Sequence, residues 1–257
     1  MQLQKAFICT ASIIFGILFA AAAVHAQAMK ITTAEVAYDK GNAKVKGYLA
    51  KPADKKARPG LILIHEWWGL NDNIRENARA FAELGYVALA VDLYDGEMAT
   101  TPDGARKLAG GVRKNTEAAF ANLKQAMSYL SGLTGEVDPA RIASVGWCFG
   151  GGWSYQMAKN DLGVKASVIY YGRFNPADDL SRMRATILGH FGETDRGIKV
   201  DNVREFQAKL KTLKGDHMVF IYPNAGHAFA NADSRNYDKA ASEAAWKRTR
   251  EFFQKHL

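Results

Sequence analysis

Cysteine is nearly absent from this chain: 257 residues carry two, Cys9 and Cys148. Cys9 falls in an N-terminal stretch with Lys5 at its start, the apolar segment Ile13 to Val24, and the small residues of Val24-His25-Ala26 at its end. That is the pattern of a secretory leader spanning residues 1–26, which directs export, here to the periplasm. Its removal leaves Cys148 as the sole thiol and excludes an intramolecular disulfide, even in an oxidising compartment. The apolar segment is too short and too poorly flanked by charge for a membrane span, and no small-residue lipidation box precedes Cys9. The mature chain is therefore expected to keep no membrane attachment.

Other absences narrow the function further. There is no internal repeat and no low-complexity segment. No Gly-x-Gly-x-x-Gly is present in the glycine-rich centre, and no Lys-Ser or Lys-Thr follows those glycines, which removes a phosphate-binding loop. The formal net charge is +8, but Lys55-Lys56, residues 209–214 and residues 247–255 alternate with acidic side chains. Nucleic-acid binding requires a continuous basic stripe or interleaved stacking aromatics. A solvated basic surface accounts for this charge, and no nucleic-acid partner is expected.

What is present is a regular alternation of apolar runs and amphipathic stretches. Ile31 to Val36 and Val45 to Ala50 alternate around Gly41-Asn42 and predict an antiparallel hairpin. Leu61 to Ile64 and Tyr86 to Val91 are unbroken apolar runs of the kind buried on both sheet faces, separated by a helix over Asn73 to Leu84 that Gly85 caps. A helix-rich insert over residues 102–130 is expected to break at Gly110-Gly111. Strands at 141–146, 164–171, 185–191 and 217–222 then alternate with helices at 150–159, 200–213 and from Asn236 to His256. The pattern predicts one α/β domain over residues 27–257, a doubly wound and mostly parallel sheet with an N-terminal antiparallel hairpin. Sites in such sheets gather at the carboxyl ends of the strands.

Cys148 sits at one of those ends, in Gly146-Trp147-Cys148-Phe149-Gly150-Gly151 directly after Ile142 to Val145. A strand that stops at Gly-x-nucleophile-x-Gly and opens into a helix resembles the nucleophile elbow of α/β-hydrolases, with a thiol in place of serine. The glycines have a physical reason, because the turn leaves no room for a Cβ around a strained nucleophile. The plainer reading, a small hydrophobe at a strand end, explains the cysteine but not its glycines.

A thiol nucleophile needs a base, and the base an orienting acid. His227, in the loop Pro223 to Phe229 between the last strand and last helix, is the preferred base, with His65 the second candidate. His190 and His217 fall in or beside apolar strands, where structural roles are expected. Gly192-Glu193-Thr194-Asp195 follows the penultimate strand and supplies the acid. Glu193 and Asp195 compete there, with Asp195 preferred because Gly-x-x-Asp lets the loop turn its carboxylate back toward the site.

Gly146 to Gly151, Gly192 to Asp195, Ala225 to Phe229 and His65 to Asn71 together resemble the catalytic segments of the dienelactone hydrolase family, from about Thr32 onward. The resemblance implies a single-domain α/β-hydrolase with a Cys148-Asp195-His227 triad that opens small lactones or esters without metal or cofactor. It implies further that Glu66 holds the resting Cys148 as a neutral thiol, and that the Trp67 and Phe149 amides form the oxyanion hole. Tyr94 and Trp153 are candidates for the pocket wall, and Arg106 is a candidate for a second family arginine that lies in the helix-rich insert. Family members carry an arginine for the substrate carboxylate four residues after the histidine; here that position is Asn231, so the chemistry carries over better than the substrate, and Arg173 is a further candidate cation. A monomer acting on a small molecule is expected. A thiol-dependent thioesterase or acyltransferase, and a non-catalytic binding or redox-sensing protein on the same scaffold, remain the alternatives.

The mature N-terminus should lie near Gln27, with one titratable thiol and no disulfide. Mass spectrometry of periplasmic protein checks this, and a retained Cys9 overturns it.

Overall fold

The structure is a computed structural model that describes residues 29–257; the expected leader, residues 1–26, lies outside them. Eight strands form one sheet in the order β1-β2-β4-β3-β5-β6-β7-β8. The first two are β1 (Ile31–Val36) and β2 (Gly47–Pro52), paired antiparallel, with β2 antiparallel to β4 (Val87–Val91). From β4 onward every pairing is parallel, through β3 (Arg58–Ile64), β5 (Val137–Trp147), β6 (Ala166–Tyr170), β7 (Thr186–Gly192) and β8 (Met218–Tyr222). This is the expected doubly wound sheet with an antiparallel N-terminal edge.

The helices are α1 (Asp72–Glu83), α2 (Pro102–Lys114), α3 (Thr116–Ser131), α4 (Phe149–Lys159), α5 (Val200–Lys211) and α6 (Lys239–His256). Aromatic contacts sort them into two layers. Phe81 of α1 packs against Trp246 and Phe253 of α6. Phe120 of α3 packs against Trp153 of α4, whose Tyr155 meets Phe206 of α5. Covered on both faces, β4 and β6 are buried throughout. Leu61, Ile62, Leu63 and Ile64 are fully inaccessible, and each such side chain contributes about 1.5–3 kcal/mol by leaving water.

Two polar clusters fix how these layers dock. The Tyr38 hydroxyl, in the β1–β2 connection, accepts from the Asp92 amide at 3.0 Å and donates to Asn122 Oδ1 at 2.8 Å. Asn122 Nδ2 donates in turn to Asp92 O at 2.9 Å, so the hairpin, the β4 end and α3 share one satisfied network. Beneath the β5–α4 junction, the hydroxyls of Ser144, Ser154 and Ser167 lie within 2.7–3.2 Å of one another. All three are fully buried.

Several element boundaries depart from the sequence reading. The insert breaks at Asn115, not at Gly110-Gly111. Asn115 accepts from Ala118 N at 3.3 Å and donates its own amide to Gly111 O at 3.1 Å, so it ends α2 and caps α3 at once; an Asn side chain competes well with helical backbone for such bonds. The last helix starts at Lys239 rather than Asn236, because Asp238 caps it through Ala241 N at 3.0 Å. Strands β3 and β5 begin earlier than their apolar runs, since Arg58 already pairs with Val137 ahead of a register shift. The β2 strand starts at Gly47, two residues late, because Val45 is buried within the connection itself.

Gly111 lies inside α2 on the solvent side with open space where a Cβ would stand. Alanine there should therefore stabilise the protein by about 0.5–1 kcal/mol and raise Tm by roughly 2–4 °C. Calorimetry of Gly111→Ala checks it; a lowered Tm would contradict the uninterrupted helix.

Candidate active site

Cys148 is the single residue between the end of β5 and the start of α4. Its backbone is held at φ 53° and ψ −112°, a region that costs a residue with a Cβ about 1–3 kcal/mol. The Cys148 amide donates to Tyr170 O at 3.0 Å, which helps hold the turn. A Cβ on Gly146 would stand 2.1 Å from Gly150 O, and one on Gly150 would stand 2.1 Å from Ile64 O. The glycines are thus the condition for packing the elbow against β3.

The thiol faces His227, whose Nε2 is 3.0 Å from Sγ. On the other side of the ring, Nδ1 is 2.7 Å from Asp195 Oδ2. Asp195 Oδ1 accepts the amides of Gly197 at 2.7 Å and Ile198 at 3.1 Å, so all its capacity is directed. These three side chains come from the ends of β5, β7 and β8, the carboxyl edge of the sheet. Burial disfavours charge on His227, but Asp195 and Cys148 outweigh it and raise the imidazole to about 10. Burial likewise pushes against the Asp195 carboxylate, and His227 with the two amides brings it below its usual range.

The competing candidates are placed elsewhere. Glu193 is exposed and accepts only the Asn224 amide at 3.4 Å. His65 is fully buried between Glu66 O at 2.6 Å and the Leu93 amide at 3.1 Å. Burial lowers it to about 4, a neutral ring with both nitrogens committed. His190 is held by Thr249 and Tyr222, and His217 by Ile187 and Lys214.

Residues 45–257 match the dienelactone hydrolase family. The chain belongs to that family. It is 34% identical to Protein usf of Aquifex pyrophilus, over 86% of this chain and 98% of that one. An Escherichia coli K12 protein provisionally named carboxymethylenebutenolidase is 31% identical, over 81% of this chain and 82% of that one. The solved structure m3DLH superposes with a TM-score of 0.78 at 27% identity, covering 90% of this chain and 99% of that one. This chain is accordingly a dienelactone hydrolase-like hydrolase.

Around Cys148 and His227 lies a cavity of about 1550 Å³, above the roughly 300–1,000 Å³ usual for small-molecule pockets. Trp67 and Phe149 both line it. Among the described residues neither backbone amide has a hydrogen-bond partner, and Phe149 opens α4, where the first amides are unpaired by construction. Trp153 and Arg106 also line the cavity, and Arg106 is 62% exposed and already paired with Asp103 at 2.6 Å. Arg113, Arg173 and Arg235 line it as well.

Three expectations need correction. Tyr94 does not face the cavity; its hydroxyl donates to Trp67 O at 3.2 Å from behind, so it supports the loop rather than the pocket wall. Glu66 does not hold the thiol, which is on His227. Its carboxylate accepts from Asn231 Nδ2 at 2.5 Å and from the Tyr171 hydroxyl at 3.4 Å. Asn231 is therefore bound to Glu66 and is not a free ligand for substrate. Sequence reading missed Tyr171, whose ring meets His227 edge-on at 5.3 Å and whose φ is 37°. Its position at the carboxyl end of β6, just before Gly172, was the signal available.

Asp195→Asn and Cys148→Ala should each lower the titration point of His227, since each removes a group that favours its charged form. The raised imidazole adds stability that is complete below its ordinary value of 6.5 and is lost as pH rises through about 10. NMR titration of the ring reads the shift; an unmoved His227 in Asp195→Asn contradicts the pairing.

Proposed function

We propose that this hydrolase cleaves small lactones and esters through a covalent acyl-enzyme on Cys148, outside the cytoplasm and without a cofactor. The observation that carries this reading is the unbroken line Asp195–His227–Cys148 at the sheet's carboxyl edge, next to two unpaired amides. In the first half-reaction Sγ bonds to the substrate carbonyl carbon while the proton shared with Cys148 stays on His227 Nε2. The carbonyl oxygen takes the displaced electron pair and is held by the Trp67 and Phe149 amides, two donors with no other partner.

Collapse of this intermediate breaks the acyl carbon–oxygen bond, and His227 returns its proton to the departing alkoxide. In a lactone that alkoxide stays tethered to the acyl group. Water then adds to the thioester carbonyl, giving its proton to His227. Breaking the carbon–sulfur bond releases the acid and restores Sγ to its place beside protonated His227. Asp195 fixes the ring so that Nε2 faces the thiol in both halves. A redox sensor needs the thiol but neither Asp195 nor His227, and the cost of holding all three in line favours catalysis.

Cys148→Ala should lower hydrolysis of an activated short-chain ester by several orders of magnitude with its melting curve preserved. His227→Ala should be nearly as damaging, and the double variant hardly worse, because members of a triad act as a unit. More than a tenth of wild-type turnover in Cys148→Ala would overturn the nucleophile, and additive losses would make His227 structural.

A further inference from the structure

The cavity has far more room than a small lactone ring fills, and its lining divides into two parts. One consists of loops that follow β3, β4, β6, β7 and β8, around the triad. The other is a helical wall. Pro102, Arg106 and Arg113 line the cavity from α2, Thr116 and Phe120 from the start of α3. Phe149, Gly152, Trp153 and Gln156 line it from α4. Spacings of three, four and seven residues share one side of a helix, so each helix turns a single stripe to the cavity.

This wall is aromatic from the elbow outward. Phe149, directly after Cys148, meets Trp153 edge-on with ring centroids 6.3 Å apart, and Trp153 meets Phe120 edge-on at 5.4 Å. Phe120, the outer end of the row, is only half-buried. A flat ligand laid against it removes that apolar surface from water and adds an aromatic contact.

Charge on the wall has one sign. The carboxylates of the lining are Glu66 and Asp233, in the loops after β3 and β8, and the helices contribute none. Among the described residues Arg106 is paired with Asp103, whereas Arg113 and Arg173 are exposed and have neither an ion pair nor a hydrogen-bond acceptor. Arg113 stands in the last turn of α2, just ahead of Thr116 and Phe120. Arg173 follows β6 with its backbone against α4, where a Cβ on Gly152 would stand 3.2 Å from Arg173 O. A guanidinium with no partner offers a planar fork of donors to an anionic group.

We propose that the α2–α3–α4 wall is a second part of the substrate site, taking a flat aromatic group whose negative charge meets Arg113 and Arg173, so that the esters cleaved at Cys148 are those of bulky aromatic anions. This assigns a substrate class to the proposed reaction and rests on that reading for the bond cleaved.

Naphthalene-2-sulfonate, a fused ring with a fixed negative charge, is the probe, and calorimetric titration of the full chain reads its affinity. It should bind about tenfold more tightly than naphthalene-2-sulfonamide, which keeps the ring without the charge, and than methanesulfonate, which keeps the charge without the ring. Arg113→Gln and Arg173→Gln should each weaken the sulfonate about fivefold and leave the sulfonamide within twofold of wild type. Raising the salt should narrow the preference for the anion. Phe120→Ala should weaken both naphthalene compounds alike, about tenfold. With 6-acetoxynaphthalene-2-sulfonate, kcat/KM relative to phenyl acetate, corrected for the hydroxide rates of the two esters, should exceed one and fall in the arginine double variant.

Equal affinity for sulfonate and sulfonamide, or an unchanged sulfonate affinity in the arginine double variant, would overturn the charged contact. Methanesulfonate binding as tightly as the naphthalene compound would overturn the aromatic one, and a corrected ester ratio at or below one would overturn the substrate class. Both arginines are exposed, so their variants decide the outcome if Phe120→Ala does not fold. Calorimetry needs no turnover, so an active Cys148→Ala would sink the acyl-enzyme reading while leaving the ligand preference measurable.

Discussion

The close passage of backbone against backbone at the β5–α4 junction is the constraint on which the site depends. Gly146, Gly150 and Gly151 let the first turn of α4 approach the ends of β3 and β6 closely enough that any Cβ would overlap a carbonyl oxygen. That approach leaves Phe149 on the cavity wall with Trp67 and Cys148 at a positive φ. The same carboxyl edge supplies Asp195 from β7 and His227 from beyond β8. Without this contact the three side chains belong to strands with no reason to converge.

Charge is organised around the same point. His227 stands between a thiol and a buried aspartate, with a second buried carboxylate, Glu66, in the same pocket. The acids are satisfied by donors that cannot reverse their roles: the backbone amides of Gly197 and Ile198 for Asp195, and for Glu66 an asparagine whose own amide is held by Asp233. Electrostatic preorganisation of this kind is most effective where water is excluded. By contrast, the four arginines lining the cavity are on its exposed side, where the solvent screens them.

Much of this was legible in the chain. The buried parallel strands show as unbroken apolar runs, and the elbow shows as a cysteine bracketed by glycines. Asp195 and His227 could be found because each loop follows a recognisable strand. What was not legible depended on tertiary contact. Gly110-Gly111 reads as a helix break, yet the glycines are carried inside α2 and the break falls at Asn115, which has bonds for both neighbours. Asn231 reads as a replaced ligand for substrate, but nothing in its local sequence shows that Glu66, 165 positions away, takes its amide. Tyr94 reads as pocket wall because loop position alone cannot distinguish the front of Trp67 from its back.

The serine cluster below the elbow carries a consequence for how the enzyme loosens. Ser154 lies on α4, Ser144 on β5 and Ser167 on β6, and Ser167 also donates to the Ser154 carbonyl at 2.8 Å. Relaxing the strained turn at Cys148 requires α4 to slide or rotate, which would strand several hydroxyls in a dry core at once. Fraying of this helix start is thereby coupled to separation of the central strands. Amide exchange at Cys148 should therefore follow the slowest, global opening of the molecule, although its side chain borders open solvent.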